Sequence, residues 1–126
     1  MEPFYSKTFG NGLKLEFRDM SNRYFGDYYR VCIEVTIHID IASQAQSGSN
    51  ADLFWLNAKS AIGEHLKKTK TLERMAVCSR DVEQVRKTLM DDFLTTNEHY
   101  FHSTKYLRAL VETHMNNLGS ITTYGF

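Results

Sequence analysis

From Tyr28 to Ile41 the chain alternates between two kinds of residue without a break. Tyr29, Val31, Ile33, Val35, Ile37, Ile39 and Ile41 occupy one set of positions. Tyr28, Arg30, Cys32, Glu34, Thr36, His38 and Asp40 occupy the other. Successive side chains of a strand point to opposite faces, so this period specifies a long strand with one face on a core and one face mostly polar. A strand in a parallel sheet, covered on both sides, would be apolar throughout. The alternation therefore favours an antiparallel sheet.

The segments around this strand supply partners for it. Phe4 to Phe9 and Leu13 to Arg18 flank Gly10-Asn11-Gly12, the pattern of a hairpin. Within the second run, Leu13, Leu15 and Phe17 alternate with Lys14, Glu16 and Arg18. Asp19 to Asp27 reads as a loop, with Gly26-Asp27 as a turn signal. Beyond the long strand, Ala42 to Asn50 is rich in Ser, Gln and Gly and reads as a mobile loop. A short helix is expected over about 52–62, capped by Asn50 or Asp52 and ended by Gly63. A further strand is expected over about 66–78, paired with the long one.

The last third is helical. Ser79 is placed to cap a helix in which Val82, Val85, Leu89 and Phe93 form a stripe widened by Met90 and Leu94. A break is expected near His102-Ser103, because Ser103 can cap a second helix. Leu107, Leu110, Val111, His114 and Leu118 line one face of that helix, and Gly119 is expected to stop it, leaving a short tail. Together these elements predict an α+β fold over residues 1–126, read as one domain. An antiparallel sheet of three to four strands (an N-terminal hairpin, about 28–41 and about 66–78) packs against C-terminal helices at about 80–101 and 103–118.

Composition sets the class. A chain of 126 residues that is 42% hydrophobic and 24% charged can build a core without disulfides or structural metal. Lys plus Arg and Asp plus Glu are both 15, so formal charge leaves no footprint for nucleic acid or an anionic membrane. Cys32 and Cys78 form no framework, which suggests free thiols in a reducing compartment. The opening residues lack the basic and apolar regions of a signal peptide, and no apolar run reaches spanning length. A cytoplasmic protein without membrane association is the expectation.

Leu13-Lys14-Leu15-Glu16-Phe17-Arg18-Asp19-Met20-Ser21, then Gly26-Asp27 leading into the alternating strand, and later Leu72-Glu73-Arg74, resemble a family of small uncharacterised bacterial proteins. The resemblance implies the order strand, strand, helix. It implies no chemistry, since that family carries no assigned activity.

Four groups of residues bear on function. Asp19, Ser21, Asp27 and Arg30, with Tyr24, Phe25 and Tyr28, can rim a ligand pocket, or else form a side-chain-bonded turn under packed aromatics. Lys67, Lys68, Lys70 and Arg74 form a basic run of the kind that holds phosphates, although it has no aromatic to stack on a base. His99 and His102 have helical spacing for two metal ligands but no second pair of donors, so no metal and no cofactor are expected. Cys78 before a helix start can be a reactive thiol, or a buried inert one. No phosphate-binding glycine loop, nucleophile elbow or CxxC is present.

These readings lean toward a non-catalytic interaction or assembly domain acting as a homodimer. A ligand binder or enzyme using Asp19 to Arg30 is the first alternative, and a weak nucleic-acid binder using the basic run the second. The dimer follows from length. A strand over 28–41 spans about 45 Å, whereas a compact chain of this size is only about 35 Å across. Its end is expected to project, leaving Ile37, Ile39 and Ile41 for a second copy to cover.

Overall fold

The computed structural model describes residues 2–46 and 53–124. In chain order it contains β1 (Tyr5–Thr8), β2 (Leu13–Asp19), β3 (Asn22–Phe25), β4 (Tyr28–Asp40), α1 (Ile41–Gln46), α2 (Leu53–Ile62), β5 (His65–Cys78), α3 (Val82–Phe101) and α4 (Thr104–Tyr124). All pairings are antiparallel. β4 is central, with β2 and β3 along one side, β5 along the other and β1 outside β2. This is the α+β architecture expected from the alternation, with helices α3 and α4 at the C-terminal end. No described helix is long and apolar enough to cross a membrane.

The N-terminal hairpin closes as expected, with Phe9 N–H donating to Leu13 O at 2.8 Å and Gly12 at φ +89° in the turn. Asp19 to Asp27 is not a loop. β2 and β3 run end to end along β4 in a single register, Asp19 opposite Ile33 and Asn22 opposite Arg30. Between them Met20 N–H donates to Cys32 O at 2.8 Å, and Ser21 Oγ accepts from Cys32 N–H at 2.9 Å. The polar residues there sit on a strand because β4 satisfies their backbone. Only Gly26-Asp27 remains as a turn, with Gly26 at φ +57°.

The apolar side of β4 is the core. Val31, Ile33, Val35, Ile37 and Ile39 are buried, with Leu13, Leu15 and Phe17 beside them from β2 and Leu66 from β5. Phe93, Phe101, Leu107 and Val111 from α3 and α4, and Trp55 and Ala58 from α2, complete the main cluster. Leu89, Met90, Leu94 and Leu110 pack around it. Val82 and Val85, expected in the same stripe, are only half-buried and lie outside that cluster. The side chain of Leu118 lies outside the described residues.

Ile37, Ile39 and Ile41 do not project. They are 8%, 0% and 0% exposed within the single chain. The strand is as long as its sequence suggested, but the cluster containing Trp55, Ala58, Leu107 and Val111 extends to its far end. These three side chains are covered by their own chain rather than left for a second copy.

Several boundaries differ from expectation for local reasons. The stretch from Ala42 begins as helix α1, because Asp40 Oδ1 accepts from Ser43 N–H at 3.0 Å and caps it. The rest of the expected loop, with Asn50 and Asp52, lies outside the described residues. Gly63, at φ +114°, ends α2 by donating to Lys59 O at 2.9 Å. Ser79 does not cap α3. A single 3-10 turn, Ser79–Asp81, comes first, and the Ser79 hydroxyl donates to Asp27 Oδ1 at 2.7 Å, tying the helix start to the β3–β4 turn. Ser103 does cap α4, accepting from Tyr106 N–H at 3.3 Å. α4 then runs through Gly119 to Tyr124. Glycine costs a helix interior about 1 kcal/mol, which weakens a helix without ending it.

Candidate functional site: the open face and free edge of the sheet

The helices gather on the core side, so the other side of the sheet stays open among the described residues. Thr36 and Cys32 are nevertheless buried there, at 0% and 3% exposure. Long neighbours roof them: Arg18 Nη1 lies 3.4 Å from Thr36 Oγ1, and Ser21 bridges to the Cys32 backbone.

At one end of this face the register brings three titratable side chains into a line. Lys14 and Lys67 are the cross-strand partners of His38, and Asp40 is the partner of His65. Glu16 and His65 are therefore diagonal neighbours of His38, within side-chain reach. His38 Nε2 lies 2.5 Å from Glu16 Oε1, and His38 Nδ1 lies 2.9 Å from His65 Nε2. Burial alone would raise the Glu16 carboxyl. The hydrogen bond and charge of His38, with the charges of Arg18 and Lys14, outweigh that and hold it below the usual carboxylate range. The lowered Glu16 carboxylate accepts from His38 Nε2–H, which turns His38 Nδ1 toward His65 Nε2 for the second hydrogen bond of the line. The chain Glu16–His38–His65 borders a shallow cleft of about 420 Å³, together with Thr8, Lys14 and Asp40.

The residues singled out around the β3–β4 turn do not form a pocket with it. Asp19 accepts from Ser21 N–H at 2.9 Å and from Arg86 Nη1 at 2.6 Å. Burial would raise its carboxyl, but the bonds from Ser21 and then from Arg86 lower it below its ordinary value. Arg30 donates to Glu73 at 2.8 Å and to Asn22 at 3.4 Å, and Asp27 holds Ser79. Each polar group has a structural partner. Tyr24, Phe25 and Tyr28 are exposed at the tip rather than gathered around a cavity. Cys78 Sγ donates to Asp27 Oδ2 at 3.7 Å, so the thiol also has a structural partner at this turn.

His99 and His102 serve helix and loop packing. The His99 ring lies tilted against Tyr100 at 3.9 Å, and the His102 ring meets Phe9 edge-on at 4.8 Å, with Nε2 3.9 Å from Glu98. As the side chains stand, no group of three or more His, Cys, Asp or Glu among the described residues is placed to hold a metal ion.

The basic run lies on β5, which among the described residues pairs only with β4 and leaves its other edge open. Lys67 shares the open face with His38, whereas Lys68, Lys70 and Arg74 pair with Ile37, Val35 and Val31 and stand on the helix side. None of these four makes an ion pair among the described residues, although Lys70 Nζ lies over the Phe93 ring at 5.7 Å. The free edge ends at an irregularity between the Tyr29 and Val31 pairings, where Ala76 adopts φ +56°.

The sequence placed Glu16 and His38 on polar strand faces but could not join them to His65, which lies in a segment of ambiguous periodicity. Only the β4–β5 register makes that connection. No protein-family model matches the chain, and no curated protein and no solved structure matches it either.

Proposed function

We propose that the protein is a non-catalytic interaction domain that takes an acidic, extended segment of a partner protein along the free edge of β5. The carrying observation is that edge: a long strand with one side unpaired among the described residues, bearing four cations that no described carboxylate neutralises. Main-chain groups on a free edge can bond an added strand, and side chains on that strand set the choice of partner. Two free thiols, Cys32 and Cys78, fit a reducing compartment such as the cytoplasm.

Charge argues against a second copy as the occupant. A twofold pairing centred on Thr69 sets Lys68 opposite Lys70, and one centred on Thr71 sets Lys68 opposite Arg74. Like charges directly opposite destabilise a strand pair, and edge lysines are a common guard against self-association. An acidic strand converts each of these repulsions into attraction. A nucleic-acid groove is less well served, because the four cations divide between two faces of the sheet. Ligand binding at Asp19 to Arg30 is less well served too, because those polar groups already bond Arg86, Glu73, Ser79 and the backbone.

The test uses a short fluorescent peptide alternating Glu with Val, and its Lys counterpart. The acidic peptide is expected to bind and to slow exchange of alternate β5 amides. Reversing Lys70 and Arg74 to Glu should transfer the preference to the basic peptide. A dimer mass in light scattering with β5 amides already protected would make a second copy the occupant. Acidic-peptide binding that leaves β5 exchange unchanged, or tighter binding to single-stranded DNA, would also overturn the proposal.

A further inference from the structure

We propose that His38 and His65 form a site for a divalent transition metal of the kind that favours imidazole, such as zinc, with Asp40 as third protein ligand. The inference stands apart from the partner-binding edge. It rests on the arrangement of His38. A metal-binding histidine commonly donates its second ring N–H to a carboxylate, which fixes the tautomer and aims the remaining lone pair. Glu16 does this to His38: it accepts from Nε2 and leaves Nδ1 facing the Nε2 of His65.

The spacing suits a metal ion. Zinc–nitrogen bonds of about 2.0–2.1 Å place two imidazole nitrogens about 2.9 Å apart at a right angle and about 3.3 Å apart at the tetrahedral angle. The observed separation is 2.9 Å. Opening by about 0.4 Å, with rotation of the rings so that both lone pairs converge, turns the hydrogen-bonded pair into a chelate. His65 is exposed, and its one ring contact among the described residues is with His38 itself. Asp40 is the direct cross-strand partner of His65 and is also exposed. One of its oxygens caps Ser43 N–H, and the other is available to turn toward the ion. The adjoining cleft of about 420 Å³ has room for water to complete the coordination.

Charge sets a ceiling on affinity. Lys14 and Lys67 flank His38 and oppose a cation, while Glu16 and Asp40 offset them. Because only two donors are already in place, the site is open and exchangeable rather than one that holds the fold together.

The experiment is calorimetric titration of tag-free protein with zinc at neutral pH, with histidine ring protons followed by NMR. One equivalent should bind and shift the His38 and His65 ring signals while leaving those of His99 and His102 in place. His38→Ala and His65→Ala should each weaken binding at least tenfold. Glu16→Gln should weaken it about tenfold, the usual effect of losing an outer-shell partner. Replacing His99 and His102 together should change nothing. Absence of zinc binding at submillimolar concentration, or ring shifts confined to His99 and His102, would overturn the proposal. The NMR readout uses the unaltered chain and so does not depend on any variant folding.

Discussion

Ile33→Ala tests the central feature of the fold, the assignment of the apolar face of β4 to the core. Ile33 is fully buried, paired with Asp19 on one side and Leu72 on the other. The substitution removes three carbons, worth roughly 0.8 kcal/mol each in transfer free energy. A residual void of about 60 Å³ adds roughly 1.5 kcal/mol at the measured cost per unit of cavity volume. The expected loss is therefore about 4 kcal/mol, inside the usual range for such truncations. For a chain of this size each kcal/mol lowers Tm by roughly 3–5 °C, so the midpoint should fall by about 12–20 °C. Urea unfolding followed by circular dichroism gives the free energy directly, provided the slope is unchanged. Thr69→Ala, on the open face, is the control and should stay within about 0.5 kcal/mol. An Ile33→Ala loss below about 1 kcal/mol, far under the expected range, would mean that β4 presents its other face to the core.

Ile39→Lys should give misfolded or aggregated protein, because it puts an unpaired charge into a closed core. A well-folded variant of unchanged stability would show instead that Ile39 reaches solvent. The Asp19–Arg86 pair should make stability depend on acid. The folded carboxyl is depressed, so its contribution is complete above the unfolded value near pH 4 and fades as pH falls through the lower folded value. Asp19→Asn should flatten that acid limb, at a cost of about 1 kcal/mol at neutral pH for a partly exposed, hydrogen-bonded pair. An unchanged acid limb would remove Asp19 from the account.

The parts of the fold visible in the sequence were those where one side chain's burial decides its own position. Period-two alternation placed β2 and β4, and helical spacing placed α3 and α4, because apolar residues there can leave water in only one way. β3 was not visible. Asn22 to Phe25 carries no apolar alternation, and it is a strand only because β4 offers bonds to its backbone. Ser79 has the chemistry of a helix cap, but its hydroxyl donates to the Asp27 carboxylate instead. Local propensity stated what these residues can do, and tertiary neighbours decided which option was taken.

The open-face cluster follows from a property that alternation leaves undetermined. Burying one face fixes the parity of a strand pairing, because a slip of one residue would turn the apolar set outward. A slip of two keeps every apolar side chain on the core side, so the core pattern tolerates it. The polar face does not. A slip of two between β4 and β5 would move His65 off the diagonal position beside His38, and one between β2 and β4 would move Glu16 off its own. The register is instead set at the strand ends, where Asp40 caps α1, Gly63 closes α2 and Ile41 and Ala42 N–H both donate to Glu64 O. These contacts at the ends of β4 and β5 thereby fix which histidine meets which. Glu16, His38 and His65 form a chain because three separate strands are locked at specific registers, and that is information no single stretch of sequence contains.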